Sequence, residues 1–191
     1  MPTPTLWSQA NILWLVFCLY FLSNFRPIRT KSSSAVSVFS VERLCLLLTA
    51  PFAFFPRTHL GPFALHFHHS QGLGVLGFVL VVAGLAFSAW ARDVLGRNWS
   101  GRVVIQDGHQ LVTAGPYAYI RHPLYTGLLV GIAGMSLIAA DLGSVLGFLF
   151  AVAFFWLKAS REERMLENEF GPAYTYYRSH TGALLPRLNH V

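Results

Sequence analysis

The chain has 191 residues, of which 54% are hydrophobic and only 12% charged, about half the charged share of an ordinary soluble domain. With a mean hydropathy of +0.49 and a pI near 9.7, this composition excludes a soluble globular enzyme and an intrinsically disordered chain. It also excludes a nucleic-acid-binding domain, because the 14 Lys and Arg residues are squeezed between long uncharged runs instead of spread over a solvated face.

Residues 6–25 carry no charge and have the length that a helix needs to cross about 30 Å of hydrocarbon. No Lys or Arg precedes them and no small-x-small cleavage pattern follows, so they read as a retained span and not a cleaved signal. A second span is predicted over 36–56, interrupted by Glu42 and Arg43, with Pro51 as a kink point. Adjacent residues diverge on a helix, so Glu42 and Arg43 do not pair with each other. Two readings stay open for them, a snorkelling helix end or a polar contact to the cytoplasmic loops. Cys18 and Cys45 lie inside these apolar runs and read as small buried hydrophobes. In the loop that follows, His59, His66, His68 and His69 cluster without a Cys or carboxylate, which favours an exposed interfacial loop over a metal site.

The third span covers 73–91. It is opened by Gly72-Leu73-Gly74-Val75-Leu76-Gly77, a letter-for-letter match to a dinucleotide fingerprint, with Asp93 near the acidic spacing. That fingerprint works only between a strand and a helix of a soluble βαβ unit, so the glycines read instead as sites of close helix packing. In the polar loop beyond, residues 103–105 and 109–112 flank Asp107-Gly108, a turn dipeptide that predicts a small hairpin. Spans 124–140 and 142–157 are separated only by the turn signal Asp141-Leu142-Gly143, which predicts a tight antiparallel pair. Gly127-x-x-x-Gly131 and Gly143-x-x-x-Gly147 are expected to pack that pair closely. The last helix should run on from Lys158 to Phe170 and stop at Gly171-Pro172.

Thirteen of the 14 Lys and Arg residues fall on one side of these spans, and only Arg57 falls on the other. The predicted fold is therefore an all-α integral membrane protein of five transmembrane helices, a single domain over 1–191. Its N-terminus is expected outside and its C-terminus in the cytoplasm. Both large polar segments, 92–122 and 158–191, are then cytoplasmic, and the chemistry is expected there.

The densest segment is 108–127, which puts two Pro, two His, three Tyr and Arg121 at the mouth of the fourth span. Pro123 suits the first position of a helix, whose free N–H groups can hold a carboxylate. Tyr117, Tyr119 and Tyr125 can offer ring faces to a cation. The second dense segment runs from Lys158 through Glu162 to Phe170, followed by Tyr174, Tyr176 and Tyr177. Glu163 and Glu167 read as ordinary surface contacts on this helix. Because the helix continues directly from the fifth span, its first turn should neighbour the first segment.

The ordered motifs GH-x-LV at 108–112, GPY at 115–117, RHP-x-Y-x-G at 121–127, EE-x-x-L at 162–166 and FG-x-x-Y-x-x-Y at 170–177 resemble the isoprenylcysteine carboxyl methyltransferase family in its compact prokaryotic form. The resemblance covers roughly 72–188 and implies a cofactor region over 103–188 in a prokaryotic inner-membrane enzyme. Such an enzyme binds S-adenosylmethionine at the cytoplasmic face and admits a prenylated or lipid-tailed substrate from the bilayer. It implies a cofactor pocket lined by His109, Gln110, Leu111, Val112, Tyr117, His122, Pro123, Leu124, Tyr125 and Glu162. Lys158, Arg161 or Arg121 would orient the acceptor carboxylate. The eukaryotic members carry an arginine where this chain has Lys158, which keeps the charge but loses the bidentate fork. In-line methyl transfer to a carboxylate needs alignment and exclusion of water, and neither metal nor nucleic acid is expected as a partner. A phospholipid or other small-lipid methyltransferase and an NADPH-dependent reductase of the sterol type are the alternatives.

Overall fold

The computed structural model describes residues 4–23, 65–67, 70–96 and 110–187. Helix α1 is Pro4–Ser23 and α2 is Gln71–Leu95. A short 3₁₀ turn, Gly115–Ala118, precedes α3, Pro123–Ala139; α4 is Leu142–Phe170 and α5 is Pro172–His180. The described residues are thus overwhelmingly helical, joined by isolated bridges. Helices α2 and α4 are long and apolar enough to cross a membrane, while Thr5–Phe21 and α3 are apolar but shorter. The predicted span at 36–56, with Glu42 and Arg43, lies outside the described residues, as do His59, His68, His69 and the predicted hairpin strand at 103–105.

The helices pack around small residues. A Cβ on Gly77 of α2 would lie 2.6 Å from the carbonyl oxygen of Gly134, and one on Gly84 would lie 2.5 Å from that of Gly127. No side chain separates these backbones at the two glycines, so α2 and α3 meet main chain to main chain. Ser88 extends the seam by donating to the Leu124 carbonyl at 3.0 Å. This corrects the sequence expectation for Gly127 and Gly131, whose notch receives α2 and not the hairpin partner α4. The reason is geometric: residues four apart share one helix face, and on α3 that face is turned toward Gly84 and Ser88. Trp14 of α1 covers Gly131, and Val81, Leu85, Met135 and Ile138 fill the core around the seam.

The α3–α4 connection is tighter than its turn signal suggested. Ala140 takes a left-handed conformation at φ 48°, and Asp141 caps α4 by accepting from the Ser144 N–H at 2.6 Å. Leu142 and Gly143 already belong to the helix. Reciprocal bonds between Ser136 and Ser144 hold the two helices together beside the turn. Residues 65–67 then pair with it through Phe67 N–H to Ala140 and Leu142 N–H to Leu65.

Helix α4 has 29 residues, about 43 Å at 1.5 Å per residue, more than the hydrocarbon thickness of a bilayer. Its apolar part ends near Leu157, and the charged turns that follow continue the same helix until Gly171, at φ 51°, ends it. Pro172 restarts the chain as α5. The uninterrupted helix is what holds the 158–167 side chains in register with the apolar stretch below them.

If the α2–α3 seam is set by backbone contact, Gly77→Ala should lower the melting temperature in detergent by the equivalent of about 1–3 kcal/mol. Gly72→Ala, whose Cβ would meet only Ser70 Oγ at 3.8 Å, should leave it unchanged or raise it.

Candidate functional site

The site begins where α3 starts. Pro123 occupies the first helical turn, and His122 stands at the cap position without a side-chain cap bond. The first N–H groups of α3 therefore have no cap from that side chain. The chain reaches this point through a buried turn: Tyr117 is nearly inaccessible, and its carbonyl accepts the Tyr177 hydroxyl at 2.7 Å. Residues 119–122 are zipped to the C-terminal segment by Gly182 N–H to Tyr119, Arg121 N–H to Gly182 and His122 N–H to Ala183. Thr126 adds a bond to the Leu184 carbonyl at 2.6 Å. A Cβ at Gly182 would collide with the Leu185 carbonyl, so this strap accepts only glycine there.

Onto this start, α4 brings Lys158, Glu162 and Glu163. Lys158 and Glu162 are one turn apart and share a face, and both meet Tyr125. The Tyr125 hydroxyl donates to Glu162 Oε1 at 2.6 Å, and Lys158 Nζ stands 5.3 Å from the ring centroid, a cation–π distance. Tyr125 is stacked between two further rings, His122 at 5.5 Å and 5° and Phe155 at 5.0 Å and 29°. Its orientation is fixed from both faces.

His122, only 6% exposed, lies between two carboxylates. Nδ1 is 3.6 Å from Glu162 Oε2 and Nε2 is 3.3 Å from Glu163 Oε1. Burial alone would depress the imidazole pKa, but the hydrogen bonds and charges of the two glutamates outweigh it, and the net shift is upward. Glu163 moves the other way. Burial opposes its charge, yet His122 and Arg121 hold its carboxyl down to about 2. Arg121 Nε donates to Glu163 Oε1 at 2.8 Å, while its Nη1 reaches the carbonyls of Arg178 and Thr181. Arg178 closes the other side, with Nε 3.6 Å from Glu163 Oε2. Burial pushes the Tyr117 and Tyr174 phenols up, and that of Tyr177 up to about 12, so all three remain neutral.

The structure therefore brings together Tyr117, His122, Pro123, Leu124, Tyr125, Lys158 and Glu162. Leu111 is half-buried, Val112 packs against the core that includes Tyr117 and Tyr125, and Gln110 is exposed. Arg161 is exposed on the neighbouring face of α4, and His109 lies outside the described residues. Two features escaped the sequence. Glu163 is not a surface residue but the largely buried partner of Arg121 and His122, and residues 181–184 supply the strap. The like charges of Glu163 and Glu167 one turn apart were the available signal, since they require cations, which Arg121 and Arg178 provide.

A model of the isoprenylcysteine carboxyl methyltransferase (ICMT) family matches residues 75–168, the stretch that contains α2 from its second turn on, α3 and the glutamate pair. The chain is 32% identical over 117 residues to the protein-S-isoprenylcysteine O-methyltransferase of Dictyostelium discoideum, a match over 60% of this chain and 49% of that one. It is also 32% identical over 130 residues to the cobalt-zinc-cadmium resistance protein CzcN of Cupriavidus metallidurans, over 66% of this chain and 58% of that one. Among solved structures it is similar to a eukaryotic intramembrane Ras methyltransferase, ICMT, with a TM-score of 0.61 and 26% identity, covering 78% of this chain and 54% of that one. The chain thus spans about half to three-fifths of the length of these relatives.

The opposite shifts of His122 and Glu163 set a pH window. The Glu163 contribution to stability is present above its unfolded pKa of about 4.3 and is lost as pH falls toward its folded value. The His122 contribution is present below about 6.5 and is lost as pH rises through its raised folded value. The melting temperature in detergent should therefore be highest between about pH 4.5 and 6.5, and Glu163→Gln should flatten the acid side of that profile.

Proposed function

Since the chain belongs, through residues 75–168, to the isoprenylcysteine carboxyl methyltransferase family, we propose that it is a membrane enzyme that methylates the carboxylate of a lipid-tailed, isoprenylcysteine-like acceptor, with S-adenosylmethionine as donor. The observation that carries this reading is the Tyr125–Glu162 contact beside the uncapped start of α3. It sets a half-buried carboxylate next to a helix N-terminus, a donor set that fits both ends of an amino-acid zwitterion.

When bound, the donor supplies an electrophilic methyl group on a sulfonium, which needs only an aligned nucleophile. Glu162 would hold the ammonium while the N–H groups at the start of α3 take the carboxylate. Stacking between His122 and Phe155 keeps Tyr125 from turning away. Water is excluded by the strap over residues 119–122 and by the buried tyrosines of α5.

On the acceptor side, Lys158 sits one turn below Glu162, where α4 leaves its apolar part, and Arg161 lies beside it. Both suit an anionic head group and would repel a protonated lipid amine. The guanidinium of Arg121 is held by Glu163 and by two carbonyls, so we assign it to holding the strap; Lys158 and Arg161 we assign to the acceptor carboxylate on their charge and their place where α4 leaves its apolar part. The lipid tail would enter sideways, because each buried CH₂ contributes about 0.8 kcal/mol to partitioning. The charge distribution supports a cytoplasmic placement of this face, with the whole chain acting as one domain.

Incubation with labelled S-adenosylmethionine and prenylated cysteine analogues should yield a product that releases labelled methanol in mild alkali. Alkali-stable label from total membrane lipid would overturn the carboxylate acceptor in favour of an amine. Glu162→Gln should weaken binding of S-adenosylhomocysteine by about ten- to a hundredfold, the loss of one charge-assisted contact. Lys158→Arg should keep activity on the analogue, and Lys158→Ala should raise its KM or abolish turnover.

A further inference from the structure

Glu162 and Glu163 are consecutive on α4, and consecutive residues on a helix point about 100° apart. Their carboxylates nevertheless reach the same imidazole, one on each ring nitrogen. The two acids are not equivalent. Glu163 is saturated by the protein: its Oε1 takes Arg121 and His122, and its Oε2 faces Arg178. Glu162 has one oxygen on the Tyr125 hydroxyl and the other 3.6 Å from His122. Only Glu162 is placed to give lone pairs to a ligand.

We infer that Glu163 is a positioning residue of the methyl-donor site: it orients His122 and, through His122, the carboxylate of Glu162 that takes the donor ammonium. The inference rests on the function proposed above. A neutral imidazole carries one N–H and can donate to one carboxylate only. With a carboxylate on each nitrogen, the ring must carry two protons to avoid setting a lone pair against Glu162 Oε2. Glu163 supplies the charge that keeps the second proton, consistent with the raised proton affinity of His122. The ring so oriented stacks within 5° of the Tyr125 plane, and Tyr125 is the other donor to Glu162. Both fixings of the Glu162 carboxylate therefore lead back to Glu163.

The charged and titratable groups around His122 agree with this assignment. Arg121 approaches Glu163 from the same loop, and Tyr125 of α3 stacks on the ring. Lys158 of α4 lies over Tyr125. From α5, Arg178 pairs with Glu163, and Tyr174 lies within its field. Arg178 is half-exposed and its side chain pairs with Glu163 and Glu167, so it separates a general loss of the ion cluster from a specific loss at His122.

The test is a double-mutant cycle on the full chain in detergent, read by calorimetric binding of S-adenosylhomocysteine and by the NMR titration of the His122 ring, assigned with His122→Asn. Glu163→Gln should weaken binding about tenfold in the wild-type background and less than about twofold in the His122→Asn background. Arg178→Gln should leave binding within about twofold. In the NMR titration, Glu163→Gln should lower the proton affinity of the ring by about tenfold or more, and Glu163→Asp should preserve most of it and rescue most of the binding. An equal loss of binding in both backgrounds, or a ring titration unmoved by Glu163→Gln, overturns the inference. A wild-type chain that binds no S-adenosylhomocysteine while its ring titration moves as stated overturns the methyl-donor reading alone, because the coupling of Glu163 to His122 is then upheld.

Discussion

Two consecutive carboxylates, Glu162 and Glu163, must both be held at the point where α4 passes from apolar to polar surroundings, and the surrounding arrangement answers that requirement. A buried carboxylate is costly unless it is paired and hydrogen-bonded. Glu163 meets the requirement with Arg121 and His122, and those two residues are delivered by the segment that starts α3. Arg121 in turn needs acceptors for its remaining N–H groups and finds them in the carbonyls of Arg178 and Thr181. The ion cluster thus fastens α3, α4 and α5 to one another at a single place, and the candidate pocket is its edge.

That place is fixed in height by the packing below it. The glycine seam lets α2 and α3 approach until their backbones touch, and the one-residue αL turn at Ala140 leaves α4 no freedom to slide against α3. A rigid pair of helices rising from a short turn carries its side chains in fixed register. Tyr125 and Glu162 meet because Ala140 and Asp141 set the two helices off together, roughly three and a half turns of α4 below Phe155. The Tyr20–Asp93 hydrogen bond ties α1 to α2 at the same end as the site.

Much of this was legible in the sequence, for identifiable reasons. Long uncharged runs announced the helices, and Gly171-Pro172 announced the end of α4, because chain termination signals act locally. His122 and Tyr125 stood out because their segment held more Pro, His and Tyr than an interfacial belt needs, whereas Glu162 was marked only through the family resemblance. The misreadings were of contacts between distant segments. Gly127 and Gly131 advertise a close neighbour but not which helix supplies it, and α2 proved to be that neighbour. Glu163 looked like a solvated residue because its cations lie 42 and 15 residues away along the chain. The strap at 181–184 has no periodicity at all, and only the main-chain bonds to residues 119–122 reveal it.

The central claim is that the methyl donor is held between the start of α3 and the charged turn of α4. Hydrogen–deuterium exchange of the detergent-solubilised chain, with and without S-adenosylhomocysteine, tests it directly. Bound ligand should slow exchange in peptides covering 117–126 and 158–166 and leave the α1 peptides at 4–23 unchanged. Protection confined to other segments, with 117–126 and 158–166 unaffected at saturating ligand, would contradict the account.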